Sequence, residues 1–586
     1  MSSYLSRLRE RVEHWRLGLA AGRSDGLLAL LGLASGLAAG TIIVAFRFSV
    51  SGVQSLYMHG LPSEAFEWLE TWLRVLVPTV GGLVLGIGYA LLTPRTRTVG
   101  VVHVLERLHY HQGHMPWRNL ATQFVGGALA LASGQSVGRE APSVHLGAAV
   151  ASLMARRLLL PNNAVRTLVA CGAAAAIAAS FNTPLAGVVF AMEVIMAEYT
   201  IAGFVPVILA AVAATAITRA VYGDDTAFTV PLLGLASLWE LVWIVAMGVL
   251  IGIGAAGFIA TIRGLGRLGD RVPVALRFTL VGFLVGIVGI VVPEVLGLGY
   301  DTVGQTLAGQ LGLAAMASVF LAKFAASALC IAARMPGGLI GPTVVLGSLA
   351  GGCFAALVAP LPGVTTAGAM YAMLGMAAMM GAVLQAPLAA LLALLEMTGN
   401  PHIILPAMLA VVSAALTARI GFGQESVFTL MLRDAGLDYR HDALSQGLRR
   451  LGIAAVMNRS FERAARHLPW AEAIALLQRG PHWLIVEHAD ERQYLLRAAD
   501  LARYCEAAAR EQDAATDDVI DLVAIPAERF ELRPVHLQAT LHEAREIMNR
   551  EGVDALYVRR QQAPMTFRTF GVVLRADVET GYALRV

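Results

Sequence analysis

The sequence predicts an all-α polytopic membrane protein that ends in a small α/β domain. Three observations carry this. The 586-residue chain is 57% hydrophobic and 15% charged, with a mean hydropathy of +0.65, whereas an ordinary soluble domain has roughly 45–50% apolar and about 25% charged residues. Its apolar residues gather into successive runs from about Leu27 to about Ile420. Two motifs recur within that region in the same order.

The surplus is aliphatic and small, since aromatics make up 7% while there are 59 glycines. That is the composition of close-packed membrane helices. The net charge of +3 gives no argument for a nucleic-acid partner. Disorder, collagen and a disulfide scaffold are excluded by the same composition. Cys171, Cys330, Cys353 and Cys505 stand far apart without C-x-x-C spacing. Three of them lie in apolar stretches, where each reads as a small hydrophobe.

Taken in order, residues 1–24 hold a basic amphipathic stretch, Ser6-Arg7-Leu8-Arg9-Glu10-Arg11 through Arg16. The positive-inside rule keeps such a segment in the cytoplasm. Residues 25–432 form the membrane domain. Clear runs cover Leu27–Phe46, Val75–Leu92, Val205–Val221, Leu241–Ala260, Phe278–Val292, Ala314–Ala333, Thr343–Val358 and Ile403–Ala418. Between them lie shorter segments, such as Val144–Leu160 and Leu168–Ala179, and several segments are too short or too Gly/Pro-interrupted to cross a bilayer core of about 30 Å as straight helices. Broken helices are tolerated where they pack in protein or line a water-filled path.

Residues 433–586 carry frequent Arg, Glu, Asp and His and read as a cytoplasmic domain of ordinary size. It has two similar halves. In one, a helix over Trp470–Arg479 precedes strands at Trp483–Val486 and Tyr494–Arg497. In the other, Leu541–Arg550 precedes Ala555–Val558 and Gly571–Leu574.

The membrane part also repeats. Pro142-Ser143-Val144-His145-Leu146-Gly147 recurs 200 residues on as Pro342-Thr343-Val344-Val345-Leu346-Gly347, and Pro184-Leu185-Ala186 with Glu193 recurs 203 residues on as Pro387-Leu388-Ala389 with Glu396. A duplicated membrane domain is characteristic of transporters and channels, whose site lies near the midplane between repeats.

The segment Gly134–Ser143 is the most informative. Small residues lead into a proline suited to a first helical turn. Free N–H groups at such a start, with the positive end of the helix dipole, make an anion site. Glu140 stands where the anion would sit, so its carboxylate can occupy the site and be displaced or protonated. Its counterpart in the second repeat is Ile340, so the helix start does not require the acid. The bland reading has Glu140 satisfied by Arg139; the functional reading is favoured because intramembrane acids are costly.

Met335–Pro342 offers a second glycine-rich start, and Phe181-Asn182-Thr183-Pro184 a third in which Asn or Thr would cap the helix. Glu193 and Glu396 are candidate proton relays, but their duplicated placement favours binding of N–H groups at a neighbouring helix end. His103, His109, His111 and His114 lie close together in sequence and read as a solvated polar connection rather than a metal site. In the apolar region no H-E-x-x-H or nucleophile–base pairing marks a membrane enzyme such as an intramembrane hydrolase. A non-conducting sensor built on the tail is the remaining reading outside transport.

Together these segments resemble the ClC family of chloride channels and chloride/proton antiporters over about residues 25–432, and the tail resembles a pair of cystathionine-β-synthase-type (CBS) domains. Gly138-Arg139-Glu140-Ala141-Pro142 is similar to the family's G-[KR]-E-G-P, with Ala141 replacing glycine. Gly338-Leu339-Ile340-Gly341-Pro342 is similar to its G-x-F-x-P, with Ile340 replacing phenylalanine. Phe181–Glu193 and Gln385–Asn400 also look like family helices.

The resemblance implies inverted repeats, about eighteen helices, and a homodimer with one anion pathway per subunit. Its location would be an inner (plasma) membrane with both termini cytoplasmic. Glu140 becomes the gating glutamate, with Gly138, Arg139, Val99, Gly100, Gly338, Leu339, Ile340 and Phe428 around the anion. The expected partners are chloride or similar small anions, membrane lipid, and protons if transport is coupled. No metal or cofactor is expected.

The sequence departs from the family at three positions. Val99, in Thr98-Val99-Gly100-Val101-Val102, takes the place of a serine whose hydroxyl holds the central anion. Phe428 takes the place of a tyrosine with the same task. Each lost bond weakens anion binding by roughly 1.5–3 kcal/mol unless a neighbour such as Thr98 or a water replaces it. Proton-coupled members carry an inner glutamate one residue after Glu193, where this chain has Val194. The reading is therefore channel-like or weakly proton-coupled transport gated by Glu140; the alternative is a coupled anion/proton antiporter. In nucleotide-binding CBS halves a Ser or Thr stands three residues before an aspartate. Arg497 precedes Asp500 and Leu574 precedes Asp577 here, so dimer contacts or gating suit the tail at least as well as an adenine nucleotide.

Overall fold

The structure is a computed structural model describing residues 15–583, except 22–23, 59–64, 200, 225–226, 229, 231–233, 236, 270, 362–366, 438–442, 488–491, 511–518 and 564–565. The basic stretch from Ser6 to Arg11 lies outside the described residues. The chain divides into two compact units. One is Ala29–Leu158 with Val165–Tyr439; the other is Arg440–Val586 with Leu159–Ala164 and the described residues before Ala29.

Among the described residues, eighteen α-helices run from Asp25 to Asp434. The first repeat supplies α1 (Asp25–Met58), α2 (Thr71–Leu91), α3 (Pro94–Arg97), α4 (Gly100–Tyr110), α5 (Trp117–Ala132), α6 (Glu140–Arg157), α7 (Asn162–Phe181), α8 (Pro184–Phe190) and α9 (Ile201–Tyr222). The second supplies α10 (Glu240–Gly269), α11 (Val274–Val291), α12 (Tyr300–Leu307), α13 (Leu313–Ala332), α14 (Ile340–Val358), α15 (Gly368–Leu384), α16 (Pro387–Thr398) and α17 (Ile404–Leu416), after which comes α18 (Val427–Asp434). Nine helices among the described residues are long and apolar enough to cross a membrane. Short ones such as α4, α8 and α12 pack inside the unit, as expected of helices that do not span.

Glycine governs the closest packing, because only a missing side chain lets two backbones touch. Gly147 on α6 and Gly172 on α7 abut, and a Cβ on either would strike the other's carbonyl. Gly347 and Gly375 repeat that contact between α14 and α15. The helix stops repeat too: Asn182 (φ +60) ends α7 before Pro184, and Gln385 (φ +53) ends α15 before Pro387. A left-handed residue and the steric demand of proline both terminate a helix.

The second unit holds a six-stranded sheet in the order β1 (Phe461–Ala465), β3 (Trp483–Glu487), β4 (Gln493–Arg497), β6 (Arg529–His536), β7 (Ala555–Ala563), β8 (Thr566–Leu574), with β2 (His467–Pro469) pairing β5 (Val519–Asp521) apart from it. β1/β3 and β6/β7 are parallel, and β3/β4 and β7/β8 antiparallel. Each half thus runs strand, helix, strand, strand, helix, using α20 (Trp470–Gln478) and α21 (Ala498–Arg510) in one and α22 (Leu541–Glu551) and α23 (Arg575–Ala583) in the other; α19 (Ala443–Arg450) precedes both. The duplication is compatible with a CBS pair.

Candidate functional site

The glycine-rich segments of the two repeats meet. Gly138 N–H donates to the Gly338 carbonyl (2.7 Å) and Gly338 N–H to the Gly138 carbonyl (2.6 Å), an antiparallel bridge. Both glycine N–H groups are therefore used between the repeats, and their missing side chains leave the space that the Glu140 carboxyl fills. A Cβ on Gly338 would lie 2.5 Å from Glu140 Oε2, one on Gly341 would lie 2.8 Å from Oε1, and one on Gly138 would collide with the same carboxyl.

Glu140 opens α6 and is fully buried in this cradle. Its own N–H and that of Gly341, both at helix starts, face its carboxyl. The hydroxyl of Tyr300 donates to Oε1 (3.2 Å). Oε2 is buried without a hydrogen-bond partner. A buried carboxylate oxygen left unpaired is costly; a proton on it, or withdrawal of the side chain, relieves that cost. Arg139 lies with its guanidinium 5.4 Å from the Phe181 ring and 5.6 Å from the Tyr300 ring, a cation held by aromatic faces. Leu339 caps α14 and Ile340 begins it, both buried.

Val99 caps α4 in an extended conformation, and Gly100 follows with φ +83, its Cα facing Ala141. Phe428 is buried in α18, which packs against α4. Thr98 is exposed, and its hydroxyl donates to the Arg95 carbonyl (3.0 Å). Tyr300 supplies a hydroxyl that the motifs do not announce. It begins α12, the same place Gly100 has in α4 one repeat earlier. Beside it, Asp301 shares a hydrogen bond with Glu67, whose carboxyl is pushed up to about 8 by burial first and by Asp301 second.

The duplicated acids cross-cap the duplicated helix starts. Glu193 accepts from the N–H groups of Leu388 (3.3 Å) and Ala389 (2.8 Å), and Glu396 from those of Leu185 (2.9 Å) and Ala186 (2.8 Å). This corrects the expected cap of the third start, because Thr183 makes no side-chain cap there. Val194 packs against the apolar core.

The histidine run is also corrected. Its first members lie in α4, and His103 is only 3% exposed. Val101, Val104, Leu105 and Leu108, at i, i+3, i+4 and i+7, are buried and carry the helical signal that could have found it. His103 stacks on His145 of α6. Among the described residues no three His, Cys, Asp or Glu side chains group as metal ligands. In the second unit, Asp577 accepts the Leu574 N–H (2.9 Å) and Asp500 pairs with Arg503.

The sequence profile of the voltage gated chloride channel family matches residues 81–419. A putative chloride channel protein ClcB-like of Ralstonia nicotianae is 33% identical over 417 residues, which make up 69% of this chain and 96% of the relative. An H(+)/Cl(-) exchange transporter ClcA of Vibrio cholerae is 30% identical over 417 residues, 69% of this chain and 88% of the relative. The crystal structure of a eukaryotic CLC transporter covers 94% of this chain and 97% of its own, with a TM-score of 0.61 at 18% identity, a likeness of fold.

Proposed function

Because the chain belongs to the voltage gated chloride channel (ClC) family of multi-pass, anion-transporting membrane proteins, we propose that it exchanges chloride for protons, with the Glu140 carboxyl as gate and proton acceptor. The carrying observation is the cradle of Gly138, Gly338 and Gly341, which holds a carboxyl with one oxygen unpartnered. Helix-start N–H groups that face this carboxylate can donate to a small anion in its place. Protonation removes the charge that competes with the anion. The relative named as an exchange transporter supports coupling.

The basic ends of α4 (Arg107, His109) and α6 (Arg156, Arg157) belong at the cytoplasmic face by the positive-inside rule. Both termini lie on that side of an inner (plasma) membrane, and the working unit is a homodimer with an anion pathway in each subunit. Channel-like conduction with weak coupling is the second reading, favoured by Val194. Full-length protein in liposomes separates the two. Exchange predicts that chloride running down its gradient drives protons uphill; protons that only follow the membrane potential would sink it.

A further inference from the structure

His103 and His145 are both buried, on α4 and α6. His103 Nδ1 and His145 Nε2 are 2.8 Å apart, with ring centroids at 5.1 Å and planes within 24°. That separation is a hydrogen bond with one shared proton, and it leaves no space for a metal between the nitrogens. The other nitrogen of His145, Nδ1, is buried without a partner. Neither tautomer satisfies it: with Nε2 accepting, Nδ1 carries an idle N–H, and with Nε2 donating, Nδ1 is an idle acceptor. A fully buried polar atom in this condition is rare and asks for a function.

We propose that His103 and His145 form a proton-transfer station on the cytoplasmic side of Glu140, inferred from a buried, hydrogen-bonded imidazole pair whose far nitrogen is unpartnered. The inference rests on the exchange reading above. His103 is four residues past Val99, so it lies on the same face of α4 one turn further in. His145 is five residues past Glu140, a rise of about 7.5 Å along α6. Both helices then run on to their basic ends, so the pair stands between Glu140 and that face.

The step balances. A proton binds Nε2 of His103, the Nδ1 proton of His103 passes to Nε2 of His145, and His145 releases its Nδ1 proton toward Glu140. One proton enters, one leaves, and the shared bond reverses polarity. The remaining distance to Glu140 exceeds one hydrogen bond, so water carries that part. The charged and titratable groups bearing on His103 are Arg107 and His111, and on His145 it is His103. Charged groups on neighbouring elements have other partners: Arg166 the Leu108 carbonyl, Arg433 Glu425, Asp434 Arg263, and Arg118 the Trp117 ring. Among the described residues the charged groups that bear on the pair are Arg107 and His111, not a carboxylate that would hold a proton on it, which suits a relay better than a store.

The test uses full-length protein in liposomes under a chloride gradient, measuring chloride efflux and internal pH together. His145→Gln keeps size and hydrogen bonding but does not titrate, and is expected to lower protons moved per chloride at least tenfold while chloride efflux continues. His103→Gln carries the same expectation if the first variant fails to fold. An unchanged proton-to-chloride ratio in either folded variant overturns the proposal, as does loss of both fluxes in fixed proportion. Glu140→Gln separates the two levels. If it uncouples while the histidine variants do not, the station is wrong and exchange stands; if the unmodified protein drives no protons uphill, both are wrong.

Discussion

Replacing Tyr300 with Phe removes the hydroxyl that bonds the gate carboxyl. The ring keeps its packing against Phe181 (centroids 6.3 Å) and Phe228 (5.8 Å), and Arg139 keeps its aromatic face. What is lost is the O–H donated to Glu140 Oε1 at 3.2 Å. Hydrogen bonds to charged groups contribute about 1.5–3 kcal/mol, and at this length the lower figure, about 1.5 kcal/mol, applies. That moves the balance between seated and withdrawn carboxyl roughly tenfold toward withdrawn. Chloride efflux from liposomes at neutral pH, where the seated carboxyl limits flux, should rise toward tenfold. Unchanged efflux would refute the argument that this bond holds the gate shut. Slower efflux would mean that the hydroxyl serves the anion instead.

Three further outcomes follow from the same geometry. Gly338→Ala places a methyl 2.5 Å from Glu140 Oε2 and 2.9 Å from the Ala141 nitrogen, so the carboxyl loses its seat. Faster chloride efflux is expected, with overpacking lowering thermal stability by about 1–3 kcal/mol. Val99→Ser with Phe428→Tyr returns two hydroxyls to the α4/α18 end of the site, and calorimetry should find chloride bound about tenfold tighter or more; unchanged affinity places the anion elsewhere. In the second unit, Arg466 Nε and a terminal nitrogen grip Asp521 (2.9 and 2.7 Å) and hold its carboxyl down to about 2 from an ordinary 3.8. A depressed carboxylate stabilises the fold above its ordinary value and loses that contribution as pH falls through about 2. Hydrogen exchange at β2/β5 should therefore rise across that window in the unmodified chain and show no such step in Arg466→Ala.

Periodicity and repetition made most of the fold legible in the sequence. Apolar runs such as Leu241–Ala260 and Phe278–Val292 fall within or almost within α10 and α11, although α10 runs on nine residues to Gly269 and α11 begins four residues earlier at Val274, because burial in lipid and protein selects the apolar centre of a helix but not its polar ends. Glu140 was legible because an acid at a glycine-rich helix start has few structural reasons to be there. Its companions were not. Tyr300 is 160 residues from Glu140 and His145 is 42 from His103, and no one-dimensional pattern tells which helices will face each other. The histidine run misled for a nearer reason: four histidines in a short span look polar, yet the aliphatic residues between them repeat with the helical period and draw His103 inside. Thr183 misled similarly, since its place suits a cap but the Glu396 carboxylate already fills that role from the other repeat.

The central claim is that one carboxyl, seated between the repeats, both blocks the anion and carries the proton. Glu140→Gln tests it most directly, with proton and chloride movement recorded together in liposomes of the full-length protein. The account predicts chloride transport without uphill protons, because an amide fits the cradle but cannot titrate. Protons still driven uphill by chloride at the unmodified ratio would contradict it.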